Sequence, residues 1–429
     1  MSRTRFVKGN IIEVVSGDLQ YYSSSNITES SSDIYSEKSA KNILNADNPT
    51  KPATESIKVK CLVKFRPSEK YIGQYGFDWI RVGDTNLVGD NPYKDIISNK
   101  NGVHPDANEF SLLKNRFEKI AVKSKNLIYI VPELNLYPGF EAQLLLYLEI
   151  EEKPEKIILK YNKNFLDLRG KEEINNVNVT PKGSPRKEYL TIYSKEACSK
   201  VLYIEAYAVD KNNIEYLVGK LKILPNKNVY SLPVVFVGVK TNLSGVKGNS
   251  KTGNYLGEYK NLYTLYRQAL VKPKLKYIQQ FDVTGNAKIQ SFKVPGGIAY
   301  QKQIGASKEF LHHILEALFN TAHPEFTNYY KVFFLADVCP GTAGVALLNT
   351  KLTIVFTPRN PATTVHELLH AVGLPHSWEK GNKNSDINGF IFEKFKTDNV
   401  MDYSKNRYSL WKWQWKKLQS NCNHHQYKP

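Results

Sequence analysis

The sequence predicts a multidomain fold, with β-rich modules in the first half of the chain and an α+β domain after them. Three observations carry this. At 429 residues the chain is too long for one ordinary core, because about 100–200 residues per domain suggests two to four domains. Its 27 tyrosines favour pleated, half-buried surfaces. Near residue 225 the pattern changes from short alternating runs to strands interleaved with helical spacing.

Residues 1–125 read as an N-terminal β-rich module. Two strand-like runs fall within 1–24, "RFVKGNIIEVV" and "DLQYYSSS". The stretch near 23–57 is rich in Ser, Asn, Asp and Pro; it cannot support a core and reads as a polar linker. Alternation resumes in "SIKVKCLVKFRP" and "YIGQYGFDWIRVGD". Over 126–225, runs such as "AQLLLYLEIEE" and "VLYIEAYAVD" are bounded by turn residues and predict an immunoglobulin-like β-sandwich.

A third domain is expected over 228–429, after the linker-like "LPNKN". "SLPVVFVGVKT" reads as a buried strand, "YKNLYTLYRQAL" as a helix and "PKLKYIQQFDV" as another strand. In "SKEFLHHILEALFN", Ser307 can cap a helix whose stripe is Phe310, Leu311, Ile314, Leu315 and Leu318. His312 and His313 cannot share one face, so one is expected in the core and one on the surface. "YYKVFFLADV" is a strand and "GTAGVALLNTKLTIVFT" a strand pair. Trp411, Trp415 and Leu418 fall at i, i+4, i+7, the stripe of a C-terminal helix packed on the core. His424 and His425 lie in a polar tail.

Composition narrows the function classes. With 41% hydrophobic and 23% charged residues the chain is of the soluble globular kind. No transmembrane segment is expected, because no window reaches the ~18–20 apolar residues of a membrane span. "MSRTRFVKGNIIEVVSG" lacks the apolar region and cleavage site of a Sec signal peptide. Four cysteines, Cys61, Cys198, Cys339 and Cys422, form no CxxC pair; buried thiols are expected, with a Cys339–Cys422 bridge left open. The net charge of +18 is concentrated late: residues 1–200 hold 30 Lys and Arg against 26 Asp and Glu, and residues 201–429 hold 29 against 15. That surface suits an acidic substrate, an anionic envelope or no specific partner. Nucleic acid is not expected, since no recognition helix or long basic block is present.

Three of the nine histidines fall in "TVHELLHAVGLPH" (364–376). Asn360 can cap a helix there, with Pro361 at its first position. His366 and His370 are i and i+4, so one helical face brings both imidazoles to one ion. Glu367 reaches the edge of the same site and can hold a water without being a ligand. Gly373 accepts the left-handed φ that ends a helix, and Pro375 prevents its resumption. The returning chain can then deliver His376 as a third ligand. Three neutral nitrogens and one open position define a catalytic zinc site. Chance assembly of these residues at these offsets is on the order of 1 in 10⁵.

His366-Glu367-x-x-His370-x-x-Gly373-x-x-His376 resembles the zinc signature of the metzincin metallopeptidases. "DNVMDYS" (398–404) looks like the methionine turn of that family, with Met401 as an apolar floor and Tyr403 similar to the tyrosine some of its members place near zinc. "GTAGVALL" looks like the edge strand of the metzincin cleft, with Gly344, Val345 and Ala346 pairing a substrate backbone. The resemblance implies a metzincin-like catalytic domain over 228–429, a Zn2+ cofactor, a protein or peptide substrate, and Glu367 as general base. Ser377 departs from astacin-like members, and the motifs fix no subfamily.

"MSRTRFVKGNIIEVVSG" and "RPSEKYIGQYGFDWIRVGD" resemble N-terminal modules of Bacteroidota proteins exported by type VI secretion systems. That resemblance implies a toxin made in the cytoplasm and secreted without a Sec signal, with a secretion-apparatus component and a cognate immunity protein as partners. Two other readings stay open: a secreted peptidase acting on host or nutrient proteins, and a surface-binding protein with a non-catalytic zincin scaffold. The intact Glu367 favours an enzyme.

Overall fold

Alternation builds the first half. The computed structural model describes residues 59–243, 250–379 and 389–427. The expected strands within 1–24 and the linker near 23–57 lie outside the described residues. A four-stranded sheet runs in the order Lys60–Pro67, Glu141–Glu152, Arg186–Ser194, Leu166–Asp167. A six-stranded sheet packs against it, in the order Glu173–Ile174, Lys156–Tyr161, Leu202–Val209, Glu215–Ile223, Glu133–Asn135, Gly76–Asp78. In Glu141–Glu152 the alternate residues Ala142, Leu144, Leu146, Leu148 and Ile150 fill the space between the sheets. Burying each leucine contributes roughly 1.5–3 kcal/mol. Lys60–Pro67 pairs antiparallel with Glu141–Glu152, so the sandwich begins near Val59, upstream of the expected start at 126. A strand finds its partner by register, and register is not marked along the sequence.

The second half is a mixed sheet of seven strands among the described residues, ordered Lys251–Thr252, Asn228–Thr241, Tyr330–Leu335, Leu352–Val355, Gly344–Ala346. Val271–Asp282 and Asn423–Gln426 also pair with Asn228–Thr241. That long strand is parallel to Val271–Asp282 and to Tyr330–Leu335, which is parallel in turn to Leu352–Val355. Both its faces are covered, which is why it reads as an unbroken apolar run. Leu232, Val234 and Phe236 face the helices Glu258–Arg267, Thr363–Val372 and Lys412–Ser420. Val235, Val237 and Val239 face Leu311–Ala322. Gly344–Ala346 is the antiparallel edge of this sheet.

Local expectations were displaced where tertiary pairing took over. Ser307 caps no helix: Gln301–Ile304 and Ser307–Phe310 form a hairpin, and the helix starts at Leu311 without a side-chain cap. His312 is buried and His313 exposed, as their adjacency requires. Trp415 and Leu418 do pack into the core, but the polar tail is a strand, and the His425 ring meets the Ser231 hydroxyl at 2.7 Å. All four cysteines are free, Cys339 and Cys422 packing with cores on opposite faces of the sheet, so the bridge left open does not form. No helix among the described residues is long and apolar enough to cross a membrane.

The segment following Gly76–Asp78 leaves the sandwich and packs against the second half. Ile97–Ser98 pairs antiparallel with Ile391–Phe392, while Ile80, Tyr93 and Ile96 share a core with Phe390, Phe392 and Trp411.

Candidate metal centre

The helix Thr363–Val372 presents the site. Asn360 does not cap it. Its side chain accepts the Ala362 N–H at 2.9 Å and the Thr363 hydroxyl at 3.2 Å, so it shapes the turn before a helix that begins at Thr363. Val365, Leu368, Leu369 and Val372 bury one face in the core. Gly373 ends the helix at φ 103°. Its N–H donates to the His370 carbonyl at 2.8 Å and the Leu374 N–H to the Leu369 carbonyl at 2.9 Å, the bonding pattern of a Schellman ending. The chain then doubles back, and His376 arrives beside the two helical histidines.

The three imidazoles converge through one nitrogen each. His370 Nε2 lies 3.2 Å from His366 Nε2 and 3.0 Å from His376 Nε2. Every Nδ1 is committed elsewhere. His366 Nδ1 donates to the Val400 carbonyl at 2.8 Å, and His370 Nδ1 to the Leu374 carbonyl at 2.7 Å. His376 Nδ1 faces the Glu379 carboxylate at 2.5 Å. A carbonyl cannot give a proton, so the Nδ1–H is present and the Nε2 of each neutral ring carries only a lone pair. Converging lone pairs repel unless an electrophile sits between them. Four tetrahedral ligands at Zn–N distances of about 2.0–2.1 Å would stand about 3.3 Å apart, close to the spacing found. Burial also holds His366 well below the usual imidazole range and His370 at about 4, so both rings stay neutral and able to ligate.

Glu367 stands beside the cluster, partly open to the cleft. Desolvation pushes its carboxyl up to about 8, against the Arg407 guanidinium and a hydrogen bond from the Ala346 backbone, which pull it down. The edge strand lies directly on this side chain: a Cβ added to Gly344 would come 2.7 Å from Glu367 Cγ. The Val345 carbonyl is held from the other side by His312 Nε2 at 3.1 Å.

The opposite wall is the turn carrying Met401. Met401 is fully buried in the same core as the helix's apolar face. Tyr403 leaves that turn 45% exposed, its ring 5.5 Å from the His366 ring and 5.0 Å from that of His376. Burial, and then Glu367, raise its phenol above the usual range. Of the residues expected at the site, His366, His370 and His376 converge, Tyr403 stands beside two of their rings, Gly344 lies against Glu367, and Met401 packs in the core under the helix's apolar face.

Four further residues were missed. Glu379 orients His376; a carboxylate three residues after the third histidine was the available signal. Trp378 stacks on His376 at 4.4 Å and 15°. Lys394 Nζ lies 4.9 Å above the Trp378 ring and 5.0 Å above that of Tyr403. Arg407 donates to the Asp402 carbonyl at 3.2 Å and to Asn360 Oδ1 at 3.1 Å. Nothing in the spacing of these last three marks them.

No protein-family model matches the chain, and no curated protein matches it. Among solved structures it is similar to the PKD domain of an M14-like peptidase from Thermoplasmatales archaeon SCGC AB-540-F20. The likeness is 13% identity over 22% of this chain and 86% of that one, with a TM-score of 0.15, and bears on neither fold nor activity.

Proposed function

We propose that the chain is a zinc-dependent metalloendopeptidase of the metzincin type. One observation carries the reading: His370 Nε2 meets the Nε2 atoms of His366 and His376 at 3.2 and 3.0 Å while each Nδ1 is held by its own acceptor. His366, His370 and His376 would hold the ion, and the cluster is one in which the three ligand atoms lie within 4.8 Å of one another. Zinc, when bound, supplies a Lewis acid that acidifies water toward a pKa of about 7 and polarises a carbonyl.

The remaining work falls to the chain's own groups. The edge strand Gly344–Ala346 pairs with an extended peptide and lays its scissile bond across the cleft. Glu367 takes the proton of the attacking water and passes it to the leaving amine. Desolvation raises this carboxyl to about 8, and a cation bound at the histidines would favour its ionised form, the form a base needs. The Tyr403 hydroxyl donates to the developing oxyanion. A basic second half suits acidic protein substrates. Export as a toxin with an immunity partner extends the proposal on the N-terminal resemblance alone.

Glu367→Ala tests the assignment. We expect one zinc per chain to be kept and cleavage of a peptide library to fall about 10²–10⁴-fold. Turnover retained in that variant would overturn the role of Glu367. A wild-type chain that binds zinc yet cleaves nothing would favour the surface-binding reading.

A further inference from the structure

The stretch "YIGQYGFDWIRVGD" contains a buried cation that the proposed function leaves unused. Arg81 is 0% exposed. A guanidinium out of water is tolerated only when paired and hydrogen-bonded, and its partners show what it is for. Its Nη2 donates to Asp398 Oδ2 at 3.0 Å and to the Ser409 hydroxyl at 3.4 Å. Nη1 donates to the Trp79 carbonyl at 3.2 Å, and the guanidinium lies 3.6 Å above the Trp79 ring. Asp398 and Ser409 stand at the two ends of the loop that carries Met401 and Tyr403.

That loop is closed like a hairpin. The Ser409 hydroxyl donates to Asp398 Oδ1 at 2.8 Å. The Asp398 carbonyl accepts the Tyr408 and Ser409 N–H groups, each at 3.0 Å, and the Val400 N–H donates to the Ser409 carbonyl at 2.9 Å. The next polar atom along the chain is the Val400 carbonyl, which holds His366 Nδ1 at 2.8 Å. A path of hydrogen bonds thus runs from Arg81 through Asp398 and the loop backbone to a metal-facing ring.

A second contact points the same way. The Tyr408 hydroxyl donates to the Val88 carbonyl at 2.9 Å. Gly89, at φ 89°, passes so close that a Cβ there would meet the Asp398 nitrogen at 2.9 Å. The upstream segment therefore touches the loop at two places.

We infer that Arg81 is a positioning residue for the metal centre: through Asp398 it sets the loop whose Val400 carbonyl orients His366. The inference rests on the metal-site reading above. It makes residues 76–98 part of the site's scaffold, although they lie far upstream of the histidines in sequence.

The test is made on the full chain. Zinc affinity is measured by competition with a chelator, the ligand field by the visible spectrum of the Co2+-substituted protein, and stability by thermal melting. Arg81→Met leaves Asp398 buried without its partner; we expect a zinc Kd about tenfold weaker and an altered cobalt spectrum, with partial recovery in Arg81→Lys. Arg81→Met by itself does not separate a positioning role from misfolding, so the double variant Arg81→Met/Asp398→Leu is included. Asp78, whose Oδ1 lies 3.6 Å from Arg81 Nη1, loses that cation in either variant but keeps the Lys412 N–H on Oδ2 at 2.9 Å, and replacing both members of a buried pair such as Arg81–Asp398 by apolar groups is often neutral or stabilising. We expect it to melt like the wild type and still bind zinc weakly. Wild-type affinity and an unchanged cobalt spectrum in the folded double variant would overturn the positioning role. A wild-type chain that bound no zinc would overturn the metal reading, and this inference with it.

Discussion

His370 and His366 sit one helical turn apart, yet their rings are held in opposite ways. The Nδ1 of His370 is fixed by the carbonyl of Leu374, four residues on and part of the same helix ending. The Nδ1 of His366 is fixed by the carbonyl of Val400, 34 residues on, in a loop outside the helix. The first anchor is made by local chain geometry. The second depends on buried polar groups gathered from across the chain. A metal site built on both should fail in two distinguishable ways, one through a turn and one through a network.

The loop that carries the distant anchor is the more costly to break. Asp402 is fully buried and its carboxylate accepts four hydrogen bonds. Oδ1 takes the N–H of Phe395 at 2.8 Å and of Tyr403 at 2.7 Å. Oδ2 takes the N–H of Thr397 at 2.8 Å and its hydroxyl at 2.7 Å. These bonds also hold Phe395 at φ 68°, a left-handed conformation that a bulky side chain resists. Asp402→Ala strands all four donors. We expect a loss of about 4 kcal/mol in denaturant unfolding, with weakened zinc binding as the His366 anchor drifts. A loss below about 1 kcal/mol, the range of an ordinary surface change, would mean that the loop is held by its apolar packing.

The same contrast explains what the sequence made legible. The histidine pair, the glycine ending and the edge strand are short-range patterns: i and i+4 spacing, one left-handed residue, one apolar run. Each follows from geometry within about a dozen residues. Arg81 and the Val400 carbonyl act across long separations, and no periodicity encodes which arginine meets which aspartate. Every residue also has a carbonyl, so nothing marks Val400 as the one that orients a ligand. Asn360 and Ser307 erred for a related reason. Both are cap-competent residues before apolar runs, but a turn claimed one side chain and a hairpin the backbone of the other. The closing strand Asn423–Gln426 is exposed throughout, so it shows no alternation to read.

The local anchor should break more cheaply and more selectively. A Cβ at Gly373 would meet Asn349 Oδ1 at 2.0 Å, and the backbone there is left-handed. The conformational cost for an L-residue is about 1–2 kcal/mol, and Asn349 must also move. Gly373→Ala should therefore lower stability by about 2 kcal/mol. Because His376 is delivered by this turn, zinc affinity should fall while the melting of the sandwich is unchanged. Destabilisation matching that of Asp402→Ala would show that the turn and the loop unfold as one unit, and the division between local and distant anchoring would not hold.

Glu379 gives the smallest and cleanest effect, because it lies on the rim of the site and supports one ring. It accepts from His376 Nδ1 at 2.5 Å and from the His376 N–H at 3.2 Å. The histidine in turn holds its carboxyl below the usual range. Glu379→Gln keeps an acceptor but removes the charge that makes the imidazole a stronger base. We expect zinc to bind about tenfold more weakly, with a melting temperature indistinguishable from wild type, since the side chain is 46% exposed. Chelator competition on the paired proteins reads this directly. Equal zinc affinity in the two would mean that the stacked Trp378, and not the carboxylate, fixes the orientation of His376. The third ligand would then be set by packing, unlike either of the carbonyl-anchored pair.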